Sequence, residues 1–190
     1  MKTSILFIFT IILLASCKKD IEIIPKAPKL NVSGSTVAVV NADTIPDHAA
    51  FKIKLVKDDI NSDETMIIFN KASKTTYSAS EDALYLQGFG QEGLSSISSD
   101  GRDLVFNNLP YTPGMSIRLN VRAQADGPFS FQLSYQTKVP ANTQIWLKDN
   151  YKKDSVDVRT VNYKFNVTKA DTNSFGQNRF KLIIKNKPQQ

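Results

Sequence analysis

From residue 51 onward, apolar and polar side chains alternate one for one. That is the period of a β-strand with one face in a core and the other in water. Phe51, Ile53 and Leu55 alternate with Lys52 and Lys54, and Ile117, Leu119, Val121 and Ala123 with Arg118, Asn120 and Arg122. The same rhythm runs through Phe129, Phe131, Leu133 and Tyr135, through Tyr163, Phe165 and Val167, and through Phe180, Leu182 and Ile184. Met66 to Phe69 is apolar on both faces, which predicts an interior strand, and Leu104 and Phe106 on either side of Val105 predict another. No segment sustains a helical period.

Turn-forming residues separate the runs: Ser99-Asp100-Gly101, Pro110 to Gly114, Asp126-Gly127-Pro128, Lys148-Asp149-Asn150 and Asp171 to Gly176. Asp126-Gly127 lies between the two cleanest alternating runs. Because Gly tolerates the positive φ of a tight turn, this pair predicts a hairpin. Many short strands with turns at short intervals predict an all-β domain, an antiparallel, jelly-roll-like β-sandwich over residues 47–187.

The first residues follow a different pattern. Lys2 precedes an unbroken apolar run, Ile5 to Leu14, that is too short to cross a bilayer, which takes about 20 residues. A basic start, a short apolar stretch and small residues before a cleavage point make a secretory signal. Leu14-Ala15-Ser16-Cys17 resembles the lipobox of bacterial lipoproteins, which implies a signal peptide over 1–16 and a lipid-bearing Cys17. Cys17 is the only cysteine in the chain. A lone cysteine in an exported chain has no internal disulfide to form, and lipidation explains it. Acyl chains buried at about 0.8 kcal/mol per methylene would hold the protein to a membrane without a spanning helix. Residues 17–46 then read as a tether, with Pro25, Pro28, Pro46 and a Ser33-Gly34-Ser35 break; Thr36 to Val40 is either a short edge strand or extended linker. Lys18-Lys19-Asp20-Ile21-Glu22 partly resembles the export signal of surface lipoproteins in Bacteroidetes-type bacteria, but Ile21 interrupts the acidic pair. It reads equally as a solvated charged tether. The expected location is therefore the outer membrane, with cell surface and periplasmic face both open.

Four later segments, in this order, resemble a β-sandwich module near the C-termini of large Bacteroidetes surface proteins. They are Asp63-Glu64-Thr65-Met66-Ile67-Ile68-Phe69-Asn70, Ser98 to Pro110 around Asp100-Gly101, Ala123-Gln124-Ala125-Asp126-Gly127-Pro128-Phe129-Ser130, and Asn178-Arg179-Phe180-Lys181-Leu182. The resemblance covers most of Phe51 to Ile184. It implies an extracellular β-sandwich without a known catalytic centre. Those relatives are usually appended to large secreted proteins, whereas here the module is expected to stand alone on a lipid anchor.

Composition narrows the chemistry. The chain has 190 residues, 41% of them hydrophobic, and a formal net charge of +6. Its lysines mostly alternate with apolar residues, as a solvated sheet face requires, and no run of five or six like charges marks a nucleic-acid patch. The single histidine, His48, precedes the first clear strand, and nothing near it resembles a nucleophile elbow. No catalytic residue and no enzymatic activity are expected. Asp59, Asn61 and Asp63 place oxygen ligands at alternate positions of an acidic turn. This is a candidate structural calcium site, although it lacks the Gly and distal Glu of an EF-hand, and an ordinary acidic loop is the simpler reading. Sugar binding would need exposed aromatic faces beside polar groups. The candidates are Trp146, Tyr111 and Tyr85, with Tyr77 and Phe89 in nearby loops. Either Trp146 or its neighbours Ile145 and Leu147 face the core, and core packing of Trp146 is the simpler reading. Asp43-Thr44-Ile45 and Asp154-Ser155-Val156 resemble O-glycosylation acceptors of Bacteroidetes exported proteins, at Thr44 and Ser155.

The expectation from sequence is a non-catalytic outer-membrane or cell-surface lipoprotein. Its domain would serve as an interaction or structural module, with a glycan or a surface protein as candidate partner. The alternative is a carbohydrate-binding accessory of a glycan-capture system.

Overall fold

In most runs where the sequence keeps a period of two, burial follows it; Tyr135, at the end of its run, is an exception and stays exposed. In β1 (Ala49–Val56), Phe51, Ile53 and Leu55 are buried while Lys52, Lys54 and Val56 are half-buried. The computed structural model describes residues 44–88, 90 and 92–187, all within a compact unit spanning 39–190. The segment expected to be a signal peptide, with Leu14, Ala15, Ser16 and Cys17, the expected tether to residue 43 with its Thr36–Val40 segment, and Phe89 lie outside the described residues. Ile45, counted with the tether from sequence, is buried in the core.

After β1 come β2 (Ser62–Phe69), β3 (Ala83–Leu84), β4 (Glu92–Ile97), β5 (Asp103–Leu109) and β6 (Met115–Ala123). Then follow β7 (Gly127–Thr137), β8 (Thr143–Asp149), β9 (Asp154–Asp157), β10 (Tyr163–Val167) and β11 (Gly176–Asn186). The fold is all-β. The strands form one hydrogen-bonded path, β10-β7-β1-β2-β5-β4-β6-β11-β8-β9, with β3 branching from β5. The sheet is nearly closed into a barrel-like shape. Its two ends meet across the core. Phe165 on β10 and Phe131 on β7 lie 4.7 and 4.9 Å, centroid to centroid, from Phe180 on β11. The Tyr163 hydroxyl on β10 donates to Asp149 on β8 at 3.1 Å.

Three features differ from the sequence expectation. The path is not wholly antiparallel, because β2 and β5 run parallel from Met66–Phe106 to Phe69–Leu109. β5 also pairs with β4 at Asp103 and Leu104. At this change of neighbour the strand loses its simple alternation: Leu104 is buried, Phe106 is exposed, and Asn107 is buried. Asn107 meets its polar need by donating to Ser96 Oγ at 3.2 Å.

The third difference is the Asp126-Gly127 segment, which is not a hairpin. β6 pairs with β4 and β11, whereas β7 pairs with β1 and β10. The short link between them therefore crosses from one side of the core to the other. Gly127 still supplies a positive φ of 130°, and Asp126 accepts from the Lys169 amide at 2.6 Å. Lys169 Nζ donates to the Ala123 carbonyl at 2.9 Å, tying the same corner from the other side. The turn chemistry is used, but to fix a crossover.

Candidate functional site

Arg179 is the largest fully buried side chain among the described residues. A guanidinium so placed needs every donor occupied, because an unpaired buried charge costs several kcal/mol. Nη2 donates to Asp149 Oδ2 at 2.8 Å, and Nε reaches both carboxylate oxygens at 3.2 Å. Nη1 donates to the carbonyls of Asn166, at 2.9 Å, and Ser174. Both partners of the ion pair have no exposed side-chain surface. Asp149 also accepts from the Tyr163 hydroxyl and from the amides of Tyr151 and Lys152, at 2.9 and 3.1 Å for the last two. Burial pushes the Asp149 carboxyl up, but the Arg179 guanidinium and these donors together hold it below the ordinary carboxylate value. The Tyr163 hydroxyl is pushed well up by burial and by the Asp149 charge, with Arg179 opposing the rise.

This buried pair supports two loops. One is the turn after β8, held by the Asp149 side chain. The other runs from Thr168 to Gly176 and contains a single 3-10 turn, Thr172–Ser174. Asp171 accepts from the Asn173 amide at 2.9 Å, an Asx-type turn. Ser174 Oγ closes the loop by donating to the Thr168 carbonyl and accepting from its amide. Gly176 follows at φ +86°, a conformation that strains other residues. The turn after β8 is also tied directly to the start of β11 and to this loop. The Asn150 amide donates to the Arg179 carbonyl at 2.8 Å, Asn150 Nδ2 donates to the Asn178 carbonyl at 2.9 Å, and the Tyr151 hydroxyl donates to Asp171 at 2.8 Å.

Between the loops lies an open cleft of about 580 Å³, with Asn150, Tyr151, Asn173, Phe175, Gln177 and Asn178 in its walls. The Tyr151 ring rests on the Arg179 guanidinium, 4.9 Å from Cζ to centroid, while 49% of the residue stays exposed. A smaller hollow of about 380 Å³ at the ends of β1, β7 and β10 is bordered by Lys57, Lys152 and Lys164.

The residues singled out from sequence are not gathered at either place. Trp146 projects from the outward face of β8, because Ile145 and Leu147 take the core positions at 0% and 1% exposure. This corrects the preference for a core Trp146. The ring is not a bare platform either: Lys185 Nζ lies 5.0 Å from its centroid, and the indole N–H is shielded without an acceptor. Tyr111 packs edge-on against Phe69 at 5.6 Å and extends the core. Tyr85 covers Gly93, with Arg122 4.3 Å above its ring. Burial, and then the adjacent Asp63, push the Tyr85 hydroxyl up to about 12. Its role is to close over β4, and Tyr77 lies apart from it in the loop that Asp100 braces.

The acidic turn is organised by Asp58, whose Oδ1 accepts from the Ile60 and Asn61 amides at 3.1 and 2.8 Å, and both of whose oxygens accept from Asn61 Nδ2. Asp63 turns away to accept from Glu64 and Leu94 amides. Asp59, Asn61 and Asp63 are thus not assembled as a ligand set. Among the described residues no group of three or more His, Cys, Asp or Glu side chains is arranged for a metal ion. His48 occupies the turn before β1 at φ 61°, donating its amide to the Phe69 carbonyl at 2.7 Å. Thr44 and Ser155 are both exposed, Ser155 on the edge strand β9.

Sequence reasoning passed over Asp149, Tyr151 and Arg179. Their only sequence signals were a turn motif at Lys148-Asp149-Asn150 and the Asn178-Arg179-Phe180 segment of the family resemblance. Compared with protein-family models, with curated proteins and with solved structures, the chain finds no match in any of the three.

Proposed function

We propose that this chain is an outer-membrane or cell-surface lipoprotein, anchored through Cys17. It displays a jelly-roll-like β-sandwich as a non-catalytic interaction or structural module. The observation that carries this reading is the filled interior. Phe51, Phe69, Phe131, Phe180 and the aliphatic residues between them occupy the space enclosed by the sheet with almost no exposure. Recognition is left to loops and outward faces, as in a display scaffold. The sandwich reading is supported by the short β6–β7 link that crosses the core, and by the facing of β7 and β10 against β11. The non-catalytic reading is supported by His48, the single histidine, serving as a turn residue. The order of the four family-like segments favours kinship with modules of bacterial surface proteins, and Arg179 gives the last of them a physical purpose.

The test of the anchor is fractionation of cells expressing the chain and its Cys17→Ala variant. The native chain is expected in the membrane fraction and in the detergent phase of a two-phase separation. The variant is expected to leave that phase, or to retain its signal peptide and migrate more slowly. Identical fractionation and migration of the two would overturn the lipoprotein reading.

A further inference from the structure

We infer that the cleft between the turn after β8 and the Thr168–Gly176 loop is a binding site for a neutral polysaccharide, with the Tyr151 ring as its stacking platform. The inference rests on the proposed surface location only in placing the domain where such glycans occur. The first support is the chemistry of the lining. In a chain with 22% charged residues, the walls carry Asn150, Tyr151, Asn173, Phe175, Gln177 and Asn178, and the only charged lining residue is Arg179, which is fully buried against Asp149. An amide side chain presents donors and an acceptor together. That matches a sugar hydroxyl, which both gives and takes a hydrogen bond, and it gives no counter-charge to a uronate, sulfate or phosphate. The neighbouring Asp171 carboxylate, held below its usual range mainly by the Tyr151 hydroxyl, would repel polyanions.

The second support is the aromatic face. Tyr151 is pressed against the Arg179 guanidinium and remains half exposed. A ring fixed on one side and open elsewhere offers the flat apolar surface that the C–H face of a pyranose requires. Third, the walls are already in place. Asp149 holds the Tyr151 and Lys152 amides, Arg179 holds the Ser174 carbonyl, and Asn150 is bonded to Asn178. A preorganised site loses little freedom when a ligand binds. The cleft is also open rather than enclosed, as an internal segment of a long chain would need. The hollow bordered by Lys57, Lys152 and Lys164 supplies the contrast, since an acidic glycan would choose that one.

The experiment is affinity electrophoresis of the full-length chain in detergent. Gels would contain neutral polysaccharides (starch, xyloglucan, galactomannan, arabinoxylan) or the polyuronates alginate and polygalacturonate. At least one neutral polysaccharide is expected to retard the protein. Tyr151→Ala should weaken that binding about tenfold or more, the usual scale for an aromatic anchor, and Gln177→Ala should weaken it while leaving the melting temperature unchanged. Should Tyr151→Ala unfold, Gln177→Ala decides. Trp146→Ala should bind as the native chain does. Retardation by no neutral polysaccharide, retardation by polyuronates alone, or binding lost in Trp146→Ala and kept in Gln177→Ala would each overturn the assignment. The membrane anchor is read separately by fractionation, so failure here would leave the lipoprotein reading standing.

Discussion

Replacing Arg179 by Met removes the guanidinium while keeping most of the side chain's length. What remains is a carboxylate, Asp149, with no exposed surface and no cation, together with the Asn166 and Ser174 carbonyls that Arg179 had bonded. Breaking a buried pair by deleting one partner costs about 3–5 kcal/mol, because the survivor is left charged and desolvated. For a domain of this size each kcal/mol shifts the midpoint by about 2–4 °C, so Arg179→Met should melt on the order of 10 °C lower at pH 7. The pair also gives a pH signature. In the native protein the Asp149 carboxyl is held below its ordinary value of 3.8. A depressed acid contributes stability that is fully present above that value and is lost as pH falls through the folded-state value. In the variant only the Tyr163 hydroxyl and the Tyr151 and Lys152 amides oppose burial, so the carboxyl titrates upward and protonation relieves part of the penalty. The gap between variant and native protein should therefore narrow as pH is lowered from 7 toward 4. Adding Asp149→Asn to Arg179→Met should recover about 0.5–3 kcal/mol relative to the sum of the single changes. Thermal and urea unfolding at several pH values would measure all of this. A loss below about 1 kcal/mol at pH 7, or additive single changes, would refute the claim that this ion pair organises the loops.

Other consequences follow from single contacts. A Cβ on Gly93 would lie 2.2 Å from the Tyr85 hydroxyl oxygen, so Gly93→Ala must displace that ring from beneath Arg122, and urea unfolding should register about 1–3 kcal/mol of destabilisation; an unchanged midpoint would mean that Tyr85 yields freely. Phe131 packs against both Phe165 and Phe180, and Phe131→Ala should cost about 3–5 kcal/mol in the same assay. Glu92 is buried with Oε2 lacking a partner, and burial raises its carboxyl above the usual 4.5. A raised acid penalises the fold above the unfolded-state value, so Glu92→Gln should melt higher than the native chain at pH 7, with the difference disappearing below about pH 4.5. An equal or lower melting temperature at pH 7 would show that the carboxylate is compensated.

Most strands were legible because their alternation survives into burial: Phe51-Ile53-Leu55, Ile117 to Ala123 and Phe180 to Ile184 all face the core. Alternation fixes which residues share a face, but not which face is inside. That is why the sequence favoured a core Trp146 on size alone, while the structure gives the core positions to Ile145 and Leu147. The choice depends on β11, where Leu182 and Ile184 lie opposite Leu147 and Ile145. The Asp126-Gly127 turn was misread for a related reason. Its chemistry is local, whereas the choice between hairpin and crossover depends on which distant strands take β6 and β7 as neighbours. The candidate site was the least legible part. Asp149 and Arg179 stand 30 residues apart, one in a turn motif and the other in a strand segment, and only their meeting in the folded chain makes them a buried pair. The acidic turn shows the converse. Asp59, Asn61 and Asp63 have ligand-like spacing, but Asp58 spends its oxygens on the turn's own amides, and Asp63 is drawn to Leu94 on β4.

The central claim is that Cys17 carries this β-domain to a membrane, and mass spectrometry of the N-terminal peptide of the purified native protein tests it most directly. The account predicts a mature chain that begins at Cys17, lacks residues 1–16 and carries a diacylglyceryl group on the cysteine sulfur. A peptide that begins at Met1, or at any other residue with Cys17 unmodified, would contradict it.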